Sequence, residues 1–182
     1  GGVVTIENFQ DTTIVLSGFT IQNGTASPSN GSQYGGGIHI NNWASGESNN
    51  HLVKLLNLRI KNNGAYSGAG IFIQGYANVK LNDVLIHDNT SSPNDGGGIG
   101  VYGHCNVIIE KTLINDNQCV QQGGGIYISE NSEVDIIRST ISNNIVNGSS
   151  WPSAGNGISV GANGSVLNVN SSIVWANNGA FS

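Results

Sequence analysis

The chain has 182 residues, only 9% of them charged, and a formal net charge of −5 with just six Lys and Arg. This scarcity of cations argues against nucleic acid or an anionic membrane surface as a partner. No apolar stretch approaches the roughly 18 residues of a membrane-spanning helix, so we expect no membrane insertion in this segment.

The hydrophobic residues, 37% of the chain, are spread in short runs between segments rich in glycine, asparagine and serine. This distribution favours one β-rich domain with many turns over a disordered chain. The low charge and the few lysines lead us to expect an extracellular or cell-surface location, with this chain as part of a longer protein.

From the N-terminus onward, the same elements recur in the same order. A glycine-rich segment that ends in isoleucine occurs five times, at intervals of 27 to 33 residues. The isoleucines are Ile38, Ile71, Ile99, Ile126 and Ile158. An apolar-x-x-Asn motif follows each of them and ends at Asn63, Asn89, Asn117, Asn144 and Asn177. An earlier copy has apolar residues at the same spacing, Ile14, Leu16 and Ile21.

Each copy contains three predicted strands, and each strand is too short to form a stable sheet alone. A period of this length is typical of a β-solenoid, in which coils stack about 4.8 Å apart and equivalent residues form ladders. We expect apolar ladders inside, an asparagine ladder at one turn, and glycines where the chain bends sharply. The coils begin near residues 1, 35, 68, 96, 123 and 155. The prediction is therefore an all-β solenoid of about six coils over residues 1–182.

The GGGI segments and the apolar-x-x-Asn motifs together resemble the Gly-Gly-Ala-Ile and Phe-x-x-Asn repeats of chlamydial polymorphic outer membrane proteins. More broadly, the repeats resemble the right-handed parallel β-helix of the pectate lyase superfamily and of many bacterial and archaeal surface proteins. The resemblance covers nearly the whole chain and implies the fold and its right hand. For function it implies less, because the motif residues build the solenoid itself. Enzymes of that superfamily use carboxylates for calcium or acid–base chemistry, and its lyases usually add an Arg or Lys.

Three aspartates are candidates for such chemistry. The ladder places Asp88 and Asp116 at one position in adjacent coils, roughly 5 Å apart, and Asp95 lies in the following loop. Stacked carboxylates could share a calcium ion or a proton, or act as the pair of a retaining glycosidase. The alternative is that both are solvated turn residues, since neighbouring coils carry Asn62 and Asn143 at this position. Calcium is the one cofactor that the sequence suggests.

Two outward-facing sets of side chains predict contact surfaces. Leu85, Ile108 and Leu113 would form an apolar patch on the middle coils, which marks either a contact or a surface covered by a neighbouring domain. Aromatic residues beside amide and hydroxyl side chains favour glycan binding, because sugars stack on rings and donate hydrogen bonds to amides. The aromatic candidates are Trp43, Tyr66, Phe72, Tyr102, Tyr127 and Trp151. The alternative is that these rings pin the insertions onto the solenoid.

The two cysteines, Cys105 and Cys119, fall on different sides of the predicted solenoid, so we expect free thiols rather than a disulfide or metal site. No Ser–His–Asp constellation or phosphate loop occurs, and no catalytic residue is assigned. We therefore expect a non-catalytic adhesin-type scaffold that presents loops to a glycan, a protein or a neighbouring domain. The alternatives are a polysaccharide lyase, hydrolase or binding module, and a filament or surface-layer subunit that stacks through open coil ends.

Overall fold

The computed structural model describes residues 2–27, 33–43, 51–148, 155–161 and 163–177. These residues form twenty-two β-strands, which pair in parallel within four sheets. Each coil of the chain contributes one strand to each main sheet, so strands distant in sequence become neighbours. Within the described part of the chain, no helix is long and apolar enough to span a membrane.

Three of the sheets have six strands each, one for every coil. Sheet A contains β1 Val4–Glu7, β4 Ile38–Asn41, β8 Ile71–Gln74, β12 Ile99–Tyr102, β16 Ile126–Ile128 and β20 Ile158–Val160. Sheet B contains β2 Thr13–Ser17, β5 Leu52–Leu56, β9 Asn78–Asn82, β13 Asn106–Glu110, β17 Glu133–Ile137 and β21 Val166–Asn170. Sheet C contains β3 Thr20–Gln22, β6 Arg59–Lys61, β10 Leu85–His87, β14 Leu113–Asn115, β18 Thr140–Ser142 and β22 Ile173–Trp175. The prediction of an all-β solenoid with about six coils is confirmed.

The fourth sheet adds a short strand, in four of the coils, to the three strands per coil that were predicted. Sheet D contains β7 Gly64–Ala65, β11 Thr90–Ser91, β15 Gln118–Cys119 and β19 Ile145–Val146. Each of these strands has two residues, which is too short to show the alternation that identifies a strand in a sequence. They form because the chain stays extended after the asparagine turn and meets the equivalent segment of the next coil.

The core is a column of aliphatic side chains enclosed by the sheets. Ile38, Ile71, Ile99 and Ile126 lie in one register on sheet A, and all four are fully buried. Matching columns of valine, leucine and isoleucine come from sheets B and C. Because every coil repeats the same apolar positions, the columns pack into one continuous core along the axis.

The predicted asparagine ladder forms at the turn between sheets C and D. The Asn117 side chain accepts hydrogen bonds from the main-chain and side-chain nitrogens of Asn89, at 3.1 and 2.9 Å. Its own Nδ2 donates to the Asn144 side chain at 3.0 Å and to the Ile86 carbonyl at 3.0 Å. The ladder therefore supplies hydrogen bonds to buried backbone groups at a turn that no strand pairing reaches.

The glycine triplets meet two different requirements. The first glycine, such as Gly96 with φ of +65°, adopts a left-handed conformation that side chains resist. The third has no positive φ, but a Cβ added at Gly98 would lie 2.6 Å from the carbonyl oxygen of Gly125 in the next coil. The corner is therefore both sharply bent and packed backbone against backbone, and the prediction from bending alone explains only the first glycine.

Candidate functional site: an aromatic groove on sheet A

The outer face of sheet A carries an aromatic column that runs along the solenoid axis. Phe72, Gly100 and Tyr127 occupy the same outward position in successive coils. Tyr34, from the segment before β4, stacks on Phe72 with ring centroids 4.4 Å apart. Tyr102, at the end of β12, also stacks on Phe72, at 5.0 Å, and contacts Tyr127 at 5.3 Å. Four rings from different coils thus form one continuous wall.

Glycine at position 100 makes this packing possible. A Cβ there would lie 3.2 Å from the Phe72 ring and 3.3 Å from the Tyr102 ring, so a larger residue would push the two rings apart. As a result Phe72 is only 3% exposed, although its position in β8 points outward. Its predicted role in glycan binding therefore reduces to support, since Tyr34 and Tyr102 cover the ring faces that a sugar would need.

A groove of about 300 Å³ lies beside the column. Its lining combines aromatic rings with amide, hydroxyl and carboxylate groups, and comprises Tyr34, Trp43, Ser67, Phe72, Gln74, Asn94, Tyr102 and Glu130. This mixture of flat apolar faces and hydrogen-bonding groups is typical of a small-ligand site.

Trp43 forms the open side of the groove and is 46% exposed. The indole lies against two glycines, since a Cβ added at Gly75 would be 2.7 Å from its Cγ and one at Gly103 would be 2.5 Å from its Cη2. Tyr76 contacts the ring edge-on, with centroids 5.7 Å apart. One side of the indole is therefore fixed against the solenoid wall while the remainder faces solvent, so both predicted roles of Trp43, stapling and contact, are compatible.

A buried carboxyl group lies behind the groove. Asp95 is 7% exposed, its carbonyl oxygen accepts a hydrogen bond from Ser67 Oγ at 2.9 Å, and its Oδ2 accepts one from the Tyr102 hydroxyl at 3.4 Å. Burial raises the pKa of the Asp95 carboxyl, and it also raises the pKa of the Tyr102 hydroxyl. Glu130, which lines the groove itself, is exposed.

The other two predicted aspartates lie elsewhere. Asp88 and Asp116 occupy equivalent exposed turn positions after β10 and β14, both in the left-handed conformation, with φ of 55° and 54°. Asp88 Oδ2 lies 2.6 Å from His87 Nδ1, and Asp116 bonds to the Asn115 amide. Asp and Asn tolerate this backbone conformation, which accounts for the residue type at this turn. Among the described residues, no three His, Cys, Asp or Glu side chains form a metal-binding group, so Asp95 does not join this pair.

The remaining candidates have mixed positions. Tyr66 is half-buried and contacts Tyr34 edge-on at 6.4 Å, beside the groove rather than in it. Trp151 lies outside the described residues. Cys105 and Cys119 are both free and buried, and burial raises the pKa of each thiol to about 12. The sequence predicted free thiols, but not that both would be buried.

The residues of the predicted apolar patch lie on sheets B and C, not on sheet A. Leu85 and Leu113 are paired neighbours on sheet C, and Ile108 lies on sheet B. Leu113 and Ile108 are each 38% exposed, and Leu85 is half-buried.

Several groove residues were not among the predicted site residues. Gln74 ends β8, and its Nε2 lies 3.1 Å from His39 Nε2. Ser67, Asn94 and Glu130 come from the loops between sheets. Gln74 lies in register with Asn41 and Tyr102 on sheet A, but a shared position in the repeat does not show which outward side chains meet in one groove. For Ser67, Asn94 and Glu130, the spacing of the apolar residues gave no signal. The aromatic residues in and beside the insertions were the available signal.

Comparison with known proteins supports the fold and little else. A family model described as a right handed beta helix region matches residues 2–182, nearly the entire chain. No curated protein and no solved structure gives a significant match.

Proposed function

The chain belongs to the right-handed β-helix family, and we propose that it is an extracellular, non-catalytic scaffold that binds a neutral glycan in the sheet A groove. The observation that carries the proposal is Trp43, an exposed indole held in place by Gly75 and Gly103. A ring already fixed in the free protein loses little conformational entropy when a sugar stacks on it. Gln74 and Asn94 place amide groups in the same groove.

Charge favours a neutral sugar over an acidic one. Glu130 lines the groove and Asp95 lies behind it, whereas none of the described residues that line it is a Lys or Arg. The six cations of the sequence are all on sheets B and C or the turn between them: Lys54, Arg59, Lys61, Lys80, Lys111 and Arg138. A uronate chain would therefore meet negative charge on sheet A with no cation to offset it.

The test is retention on insoluble or immobilised polysaccharides, neutral and acidic, with calcium and with chelator. We expect the protein to be retained on at least one neutral polymer, independently of calcium. Trp43→Ala should weaken binding about tenfold, because the aromatic platform is lost. Trp175→Ala is the matched control, since Trp175 is 63% exposed but lies on β22 of sheet C. No retention on any neutral polymer, or equal losses in the two variants, would refute the proposal.

Hydrolysis is the second candidate, and one observation favours it. Two carboxyl groups flank the groove in different environments, one buried with a raised pKa (Asp95) and one exposed (Glu130). Such a contrast separates an acid from a base in glycosidases. The same incubations should be read for released sugars. Cleavage that disappears in Glu130→Gln would establish hydrolysis in place of simple binding.

A further inference from the structure

A second and larger concave surface lies outside the turn between sheets B and C. This corner groove has a volume of about 520 Å³ and is lined from four successive coils, among others by Phe19, Arg59, Asp83, Leu85, Lys111 and Leu113. It shares no lining residue with the sheet A groove. Nothing in the glycan proposal uses it.

The concavity follows from the turn itself. Two residues connect each sheet B strand to the next sheet C strand, and the first adopts a left-handed conformation, as in Asn57, Asp83 and Lys111 with φ of 49°, 58° and 49°. The second is buried in the coils that form the groove floor, where Leu58 and Val84 are each 3% exposed. The sharp bend repeats in register from coil to coil, which makes the corner a continuous channel along the axis.

The lining of the corner groove includes apolar side chains beside its polar and charged ones. Leu85 and Leu113 are adjacent on sheet C, and Leu113 remains 38% exposed. Phe19, at the first coil, is 43% exposed. Isolated apolar side chains on a surface need no explanation, but several that line one channel indicate a contact surface.

The charge around the corner groove is positive in a chain whose net charge is −5. Lys80 and Arg138 form ion pairs with Glu110. In the part of the chain that the structure describes, Arg59 and Lys111 have no ion-pair partner, although both line the groove. Asp83 is the single carboxylate among the lining residues that the structure describes. Two cations without an ion-pair partner among the described residues thus line the same groove as the half-buried Leu85 and the exposed Leu113.

We propose that the corner groove binds an extended, acidic segment of a partner polypeptide that also carries apolar side chains. Four coils about 4.8 Å apart span about 14 Å, which matches about four to five residues of extended peptide. Arg59 and Lys111 lie two coils apart, so they would pair with carboxylates about 10 Å from each other. Leu85 and Leu113 would contact the apolar side chains between them. Acidic glycans supply the charge but no apolar side chains, which is why a polypeptide fits this surface better.

The test is fluorescence anisotropy of a short labelled peptide in which Glu alternates with Leu or Phe, at low and high salt. We expect saturable binding that weakens with salt, and no binding of the same peptide with Lys in place of Glu. The double variant Arg59→Glu/Lys111→Glu should weaken binding at least about tenfold. Lys54→Glu/Lys61→Glu, with the same change in net charge outside the lining, should change it less than about threefold.

Leu113→Ser separates the apolar contribution from charge and should weaken peptide binding several-fold with circular dichroism unchanged. The proposal is overturned if the Glu–Leu peptide does not bind, or if the two double variants lose affinity equally. It is also overturned if polyglutamate or heparin binds as tightly as the mixed peptide, because the surface would then be a general polyanion site. The corner-groove variants should be retained on glycans as well as the wild type is, whichever result the peptide assay gives.

Discussion

The asparagine ladder gives the sharpest quantitative test of the fold. In Asn117→Ala, the buried main-chain N–H of Asn89 loses its acceptor, because its bond runs to Asn117 Oδ1 at 3.1 Å. An orphaned buried N–H costs about 1–3 kcal/mol, and the lost side-chain bonds to Asn89 and Asn144 add about 1 kcal/mol each before relaxation. We therefore expect a loss of about 3–5 kcal/mol in the free energy of unfolding, measured by urea titration with circular dichroism at neutral pH.

The matched control uses the same residue type at the edge of the ladder. Asn177 is half-buried and also accepts from the main-chain N–H of Asn144, at 3.0 Å. Because water can replace this bond, Asn177→Ala should cost about 1 kcal/mol. The reasoning would be refuted if the two variants were equally stable, or if Asn117→Ala lay within about 0.5 kcal/mol of the wild type. Either result would mean that the ladder follows from the fold without stabilising it.

Three other predictions address the core, the glycine corner and the buried carboxyl. Ile126→Asp should abolish folding, because it introduces a charge at a fully buried position. Tyr127→Ser should lower the free energy of unfolding by only about 1 kcal/mol. If the two variants gave similar circular dichroism spectra, the assignment of Ile126 as inward and Tyr127 as outward would be wrong. Gly98→Ala should destabilise the protein strongly, because the added Cβ would lie 2.6 Å from the carbonyl oxygen of Gly125. Gly64→Ala should fold normally, because the nearest atom to its Cβ would be 3.9 Å away. Equal thermal midpoints for the two variants would contradict this prediction. The raised pKa of Asp95 means that its contribution to stability is fully present below the ordinary value of 3.8 and is lost as pH rises through the folded-state value. Asp95→Asn should remove this pH dependence from the free energy of unfolding. If the variant and the wild type showed the same dependence of unfolding free energy on pH, the pKa of Asp95 would not be raised by burial.

The sheet A groove and the corner groove differ in chemistry. The outer face of sheet A carries stacked rings, while the corner between sheets B and C carries cations and leucines. The two grooves have no described lining residue in common. The glycan and peptide assays therefore test separate proposals.

Most of the fold was predictable because the residues that build each coil of a solenoid recur at regular spacing along the sequence. The isoleucine at 126 and the asparagine at 117 recur at equivalent positions in neighbouring coils, and stacking of those coils follows from the repetition alone. Sheet D was not predicted, because a strand of two residues is too short to show the alternation of apolar and polar residues. The repeat spacing puts Asp88 and Asp116 in one register, in agreement with the pairing of β10 with β14. The spacing does not show where the side chain of Asp95 points, and among the described residues Asp95 forms no metal-binding group with the pair.

The sequence by itself determined which side chains point inward and which coil follows which, because alternation along a strand fixes direction relative to its own sheet. Only the tertiary structure decided what lies on top of an outward side chain. Phe72 points outward yet is buried by Tyr34 and Tyr102, and Trp43 is held by two glycines that follow it by 32 and 60 positions in the chain. The convergence of Arg59 and Lys111 on one corner likewise depends on stacking. Exposure and charge outside the solenoid come from packing between coils and insertions, which the repeat period does not encode.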